Sequence, residues 1–239
     1  PATYEHIPPE TVGNHRRVLV SELSGQSNVL YKAEELGIDF SGATAEARQI
    51  VQKVKELEAE GYQFEGAEAS FELLVKKAQG KQRSFFELRG FRVETDRPAP
   101  GFPAQSQAVL RLLVNGEDRH VVADGDGPVN ALDRALRKAL VADYPLLQKV
   151  HLTDFKVRVL SAKSGTAAKV RVLIESSDGE GNSWTTVGVS ENIIEASYQA
   201  LVDSIDYVLL KMEEREIAAA PQAANSVPAE PETAGALKG

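Results

Sequence analysis

The sequence predicts an α+β fold in which small helical linker subdomains precede a pseudo-two-fold repeat of two βββα units. Two observations lead to it. Three strand-like runs and a glycine-led helix occur from Phe85 to Val141 and again from Leu152 to Leu210, and the pentapeptide Lys156-Val157-Arg158-Val159-Leu160 recurs letter for letter as Lys169-Val170-Arg171-Val172-Leu173. A three-stranded sheet with one covering helix buries one face of each element, so two stacked copies supply each other's missing layer.

Residues 1–27 read as extended and turn-rich, with Pro8-Pro9 and Ser24-Gly25, and short helices are expected at about 28–36, 44–60 and 67–79. The middle helix has the fullest signature. Thr44 is placed to cap it, Ile50, Val51, Val54 and Leu57 form a docking stripe, and Gly61 suits the left-handed residue that ends it. Ser24-Gly25-Gln26-Ser27-Asn28 reads as capping chemistry. Phe64, Phe71, Phe85, Phe86 and Phe91 read as packing at the passage from linker to repeat.

In the first repeat, Val109, Leu112 and Val114 run into Asn115-Gly116, a type I′ hairpin signal; a return strand follows at His120 to Ala123, then a helix from Pro128 to Val141. In the second, Val170, Val172 and Ile174 alternate with charge, Asp178-Gly179 turns, Trp184 to Val187 returns, and Glu191 to Leu210 is helical. The organisation expected is therefore a linker over residues 1–82, a repeat domain over 83–213 and a tail over 214–239. From Ala218 onward the tail is Ala, Pro, Glu and Gly with almost no large apolar residue, a composition that does not order itself.

The 239 residues, 42% hydrophobic, suffice for a sizeable core. A net charge of -8, with no clustered Lys and Arg, argues against nucleic-acid binding. The absence of cysteine excludes disulfides and thiolate chemistry and is compatible with a cytoplasmic location. No signal peptide or long apolar run points to a membrane. The four histidines, His6, His15, His120 and His151, have no metal-ligand spacing.

Several stretches resemble the C-terminal half of citramalate synthases, members of the 2-isopropylmalate and homocitrate synthase family. They are Tyr4-Glu5-His6-Ile7, Val12-Gly13-Asn14, Ser21 to Asn28, Gly61-Tyr62-Gln63-Phe64-Glu65-Gly66-Ala67-Glu68-Ala69-Ser70, Gly125-Asp126-Gly127-Pro128-Val129-Asn130-Ala131-Leu132 and Gly188 to Ser197. The resemblance covers nearly everything but the tail. It implies an acyltransferase that condenses acetyl-CoA with pyruvate on the route to isoleucine. The chemistry would lie in an N-terminal TIM barrel that holds a divalent metal; no barrel is expected in this chain, which by itself is expected to be inactive and to hold no cofactor. The resemblance further implies that Tyr4 reaches over the neighbouring barrel of a homodimer, with His6 a weaker candidate beside it.

The segment Gly125-x-Gly127-Pro128 lacks the third glycine of a dinucleotide fingerprint and follows an antiparallel hairpin. Two readings remain: a tight strand-to-helix turn with Pro at the first helical position, or exposed amides at Gly127 to Asn130, with counterparts near Ser190 to Ile193, that receive a carboxylate. The resemblance implies a feedback inhibitor near the dimer interface, a branched-chain amino acid with isoleucine favoured, held by the Gly127-Pro128 turn, the Leu152-Thr153-Asp154-Phe155 strand and Thr166, with a looser match at Val159. The residue pattern itself adds the Asn130 amide and an apolar slot of Val129, Leu152, Phe155, Val159 and Ile193. Asp154 or Asp126 would take its ammonium group. The apolar members fit plain core packing equally well. Competing readings are a dimerisation module without ligand and the same region of a leucine-responsive 2-isopropylmalate synthase.

Overall fold

Alternation along Gln105–Val114 puts Ala108, Leu110, Leu112 and Val114 on one face, and all four are fully buried in the computed structural model, which describes residues 44–81, 83–160 and 167–224 without the side chains of 44–47 and 218–224. The elements are α1 (Thr44–Glu60), α2 (Glu68–Ala78), β1 (Glu87–Asp96), β2 (Gln105–Val114), β3 (Glu117–Gly125), α3 (Pro128–Leu140), a short 3-10 turn at Pro145–Gln148, β4 (His151–Val159), β5 (Val170–Ser177), β6 (Ser183–Ser190) and α4 (Ile193–Ala224). They form two antiparallel three-stranded sheets, ordered β1-β2-β3 and β4-β5-β6, as the doubled βββα reading requires. The helix expected at about 28–36 lies outside the described residues.

The recurring pentapeptide has a different meaning from the one the sequence suggested. Its two copies lie side by side in the second sheet, with Lys156 opposite Leu173, Val157 opposite Val172 and Arg158 opposite Arg171. They are cross-strand neighbours within one unit, not equivalent strands of two. Alternating Val and basic residues suit any half-buried strand, so identity of the pieces did not mark the repeat; the sheet order does.

One core serves both units. It joins Leu110 and Leu112 of β2, Leu132, Leu136 and Leu140 of α3, Val172 and Ile174 of β5, and Leu201, Ile205 and Leu209 of α4. Phe91 of β1 stacks on Tyr198 of α4 with ring centroids 5.0 Å apart, so the units interlock. The aromatic cluster expected at the linker joint is divided: Phe85 and Phe86 belong to this core, Phe64 and Phe71 to a second one. That second core sets Ile50, Val51 and Val54 of α1 against Val187 and Val189, so the stripe docks on the outer face of the second sheet.

Local stops follow the chemistry read from the sequence. Gly61 (φ +114°) ends α1, with Gly61 N–H donating to Glu58 O and Tyr62 N–H to Leu57 O, the paired bonds of a Schellman motif. Asn115 (φ +49°) and Gly116 (φ +83°) make the two-residue hairpin turn between Val114 and Glu117. The second hairpin turns over Asp178 to Asn182, its Asp178 carboxylate accepting the Glu180 and Asn182 N–H groups. Helix α4 does not stop near Leu210 but continues to Ala224, over the first part of the stretch expected to be tail. Lys211, Met212 and the glutamates that follow favour helix, and Lys76–Glu214, Arg83–Glu213 and Lys211–Glu72 ion pairs tie this portion to the segment before β1.

Gly125 and Gly188 are required by close approach. A Cβ on Gly125 would meet Ala131 N at 2.4 Å, and one on Gly188 would meet Ala196 O at 2.0 Å, both backbone atoms at a helix start. Gly127 has open space around it and an extended φ of -160°. Gly125→Ala and Gly188→Ala are each expected to lose about 2 kcal/mol or more of stability in denaturant unfolding, against less than about 1 kcal/mol for Gly127→Ala.

Asp203 and Asp206 lie one turn apart on α4. Burial pushes the Asp206 carboxyl up to about 7, with Asp203 adding to the rise. Burial pushes Asp203 up to about 6, against the Ser70 hydrogen bond and Lys77, which pull it down. Asp206 Oδ1 has no hydrogen-bond partner among the described residues. Because both folded-state values lie above the unfolded one, the folded chain holds more protons than the unfolded chain between about pH 4 and 7. Stability from these groups is therefore highest below about pH 4 and falls as pH rises through that window. Asp206→Asn is expected to flatten the fall measured by chemical unfolding between pH 5 and 8 and to gain about 1–3 kcal/mol at pH 8. An unchanged slope contradicts this account.

Candidate functional site

Helix α3 has two faces. Ala131, Leu132, Ala135, Leu136, Ala139 and Leu140 are buried against the sheets, which leaves Val129, Asp133, Arg134, Arg137, Lys138 and Val141 on the other side. That side forms one wall of a groove of about 680 Å³, whose other wall is Leu147, Gln148, Val150, His151, Leu152 and Phe155, from the 3-10 turn to mid-β4. The walls are tied by Arg137. Its Nε donates to Asp133 Oδ1 and Oδ2 at 2.9 and 3.0 Å, and its Nη1 to the carbonyls of Leu147 and Val150 at 3.1 and 2.6 Å. A forked, charge-assisted arrangement of this kind fixes the end of α3 against the start of β4.

Of the residues picked out in the sequence, Val129, Asn130, Leu152 and Phe155 converge on this groove. Gly127 caps α3 and Pro128 opens it, both next to the groove without lining it. A bulge between Leu152 and Asp154 re-aims β4, and Asp154 pairs with Lys156, which holds its carboxyl below the usual carboxylate range. Asp126 lies with Arg134 in a separate cavity beside Glu94, Asp96 and Asp124. Val159 (55% exposed) and Ile193 (41% exposed) are open surface away from the groove lining. Tyr4, His6 and Thr166 lie outside the described residues.

The two helix starts are not equivalent. At α4 the Asn192 side-chain Oδ1 accepts the Ile194 and Glu195 N–H groups, so the amides that open this helix already have a side-chain partner. At α3 no side chain caps the start, and Asn130 Oδ1 instead accepts the Asp126 N–H. A carboxylate-receiving helix start therefore fits the first unit and not the second.

Sequence reasoning missed Asp133, Arg134, Arg137, Lys138, Leu147 and Val150. The charged four recur at helical spacing and read as a solvated face; only the position of β4 turns that face into a wall. A second surface feature adjoins the groove. Phe155, Val157 and Val159 stand opposite Ile174, Val172 and Val170 and so share their face of the sheet, yet α4 packs on β5 and β6 and leaves this row 37–55% exposed. Among the described residues no cluster of three or more His, Asp or Glu side chains is placed to hold a metal, and no helix is long and apolar enough to cross a membrane.

Comparison with known proteins bears on the family to which this fold belongs. Residues 1–62 match the family described as homocitrate synthase post-HMGL domain-like, and residues 65–209 match the family described as LeuA allosteric (dimerisation) domain. The chain is 56% identical over 216 residues to an (R)-citramalate synthase of Geobacter sulfurreducens and 50% identical over 215 residues to one of Aquifex aeolicus, each match covering 90% of this chain. It is 31% identical over 216 residues, 88% of its length, to a 2-isopropylmalate synthase of Methanocaldococcus jannaschii. The chain spans only 41%, 40% and 39% of these relatives, respectively. With 145 consecutive residues matched across both βββα units, this chain belongs to the LeuA allosteric (dimerisation) domain family.

Proposed function

We propose that the chain is the regulatory and dimerisation region of a cytoplasmic citramalate synthase, and that a branched-chain amino acid, isoleucine first, binds in the groove between α3 and β4 as feedback inhibitor. The observation that carries this reading is the convergence of Val129, Asn130, Leu152 and Phe155 on one groove with cations at its edge. An apolar slot beside Arg134 and Lys138 suits a small aliphatic carboxylate. The similarity to citramalate synthases, 56% and 50%, against 31% to an isopropylmalate synthase, favours isoleucine over leucine as effector. In this reading condensation of acetyl-CoA with pyruvate takes place in a metal-holding barrel outside this chain, and Tyr4 assists the partner's barrel.

A second copy of the chain would cover the apolar row on β4. Three consecutive inward-type positions left 37–55% exposed on an edge strand form a surface that gains from self-association, and closed homodimers are the commonest way to cover one. This row is also what favours the second reading, a module that dimerises without binding an effector. Effector control would require unequal affinity for two arrangements of the region, typically by about 1–3 kcal/mol.

Two measurements test the proposal. Sedimentation equilibrium is expected to give a dimer that Val157→Glu converts to monomer; a wild-type monomer contradicts the dimerisation reading. Calorimetric titration is expected to show saturable isoleucine binding that Phe155→Ala weakens at least tenfold, or about 1.4 kcal/mol. A folded dimer that binds neither isoleucine nor leucine leaves only the dimerisation module.

A further inference from the structure

The charge of the groove is opposite to that of the chain. Arg134, Arg137 and Lys138 face it against the single carboxylate of Asp133, in a protein whose net charge is -8. Arg134 and Lys138 are exposed, and their bonds are to main-chain carbonyls, Asp124 O and Val122 O, apart from a 4.0 Å approach of Arg134 to the fully exposed Asp126. Both cations are thus able to turn toward a bound anion. The apolar part is equally well defined: Val141, Leu147, Val150 and Phe155 line the same space.

The acceptors are another matter. Both oxygens of Asp133 are engaged by Arg137, whose other nitrogen occupies the Leu147 and Val150 carbonyls, and Asn130 Oδ1 holds the Asp126 N–H. The remaining polar side chains of the lining, Gln148 and His151, carry no negative charge at neutral pH. Among the described residues, then, one protomer offers a ligand two mobile cations and an apolar wall but no free anionic acceptor. An ammonium group brought there loses water without gaining a charged partner and meets a cationic field. The deaminated counterpart of a branched-chain amino acid presents the same carboxylate and the same hydrocarbon with nothing left unpaired.

We propose that the groove binds branched-chain 2-oxo acids, competing there with the amino acid. The inference rests on the reading of this groove as the effector site and extends the chemistry of what it accepts. The 2-oxo oxygen adds an uncharged acceptor within reach of Arg134 or Lys138, so the oxo acid engages the cationic wall twice, where the amino acid places its carboxylate alone. Under this inference, isoleucine requires an acceptor supplied by a second copy of the chain, whereas the oxo acid does not.

The test is calorimetric titration of the full 239-residue chain at pH 7.5 with isoleucine and, separately, with 3-methyl-2-oxopentanoate, followed by titration of each in the presence of the other. The oxo acid is expected to bind at least as tightly as isoleucine and to compete with it. Arg134→Gln combined with Lys138→Gln is expected to weaken the oxo acid fivefold or more. Both residues are exposed, so the variant is expected to keep the wild-type unfolding midpoint. Phe155→Ala is expected to weaken both ligands. Saturable isoleucine binding with no heat and no competition from the oxo acid overturns this inference and leaves the effector reading intact. Silence from both ligands in a folded protein overturns both, and oxo-acid binding indifferent to Phe155→Ala and to the double charge variant places the anion elsewhere and overturns the inference.

Discussion

The two sheets and two helices of the repeat each bring an apolar face to one shared core, and that core is closed only when all four meet. Leu110 and Leu112 on one sheet, Val172 and Ile174 on the other, and the buried stripes of α3 and α4 enclose the same space. A single βββα unit would leave in water the surface that the other unit covers, at roughly 25 cal/mol for every Å² exposed. The Phe91–Tyr198 stack and the two close-approach glycines, Gly125 and Gly188, follow from the same requirement, since each helix must lie within backbone contact of its sheet for the stripes to mesh. Three buried polar side chains of β5, β6 and α4 and the indole of Trp184 are paired along a seam in this core. Trp184 Nε1 donates to Ser204 Oγ, Ser204 Oγ to Ser176 Oγ, and Thr186 Oγ1 to the Ala200 carbonyl.

Pseudo-symmetry ends at the outer faces. The second sheet has Leu173, Val187 and Val189 outside, and α1 and α2 cover them. Strand β6 is an edge, and its outward N–H groups at Val187 and Val189 are received by Ser70 Oγ of α2 and Gln199 Oε1 of α4. Those acceptors are themselves engaged: Ser70 Oγ donates to Asp203 Oδ2 at 2.6 Å, and Gln199 Oε1 accepts the Tyr62 hydroxyl at 3.0 Å. Arg171 adds bonds to the Gly61 carbonyl and to Gln63 Oε1. The helical segment is thus fastened to the second unit, while the groove lies along the helix of the first. Strand β4, the other wall of the groove, pairs with β5, whose Arg171 bonds Gly61 and Gln63, so the groove is linked to the helical segment through the second sheet as well as through the shared core and α4.

The groove illustrates how context converts a solvated helix face into a site. Arg134, Arg137 and Lys138 on an isolated helix would be screened by water and contribute little. Facing Leu147, Val150 and Phe155 across a confined space, with Arg137 locked by four hydrogen bonds, the same side chains create a cationic field next to an apolar wall. Asn192 at the start of α4 and Gly127 at the start of α3 make the complementary point, because a change of one capping residue decides which helix start has amides to offer.

Patterns that depend on neighbours two to four residues apart were legible in the sequence. They include the alternation in β2 and β5, the Asn115-Gly116 hairpin, the Gly61 stop, the α1 stripe and the doubled βββα order, because each follows from local sterics and the need to bury one face. The helix-start and apolar-slot readings picked out Val129 and Asn130, the resemblance picked out Leu152 and Phe155, and the four line one groove. Tertiary structure alone decided that the recurring pentapeptide pairs with itself inside one sheet, that a bulge interrupts β4 between Leu152 and Asp154, and that ion pairs tie α4 beyond Leu210 to the segment before β1. It also decided that the charged side of α3 faces β4. The physical reason is common to all four: periodicity specifies which side of an element is apolar, but what stands opposite its other side is set by packing between segments distant in sequence, which no local pattern encodes.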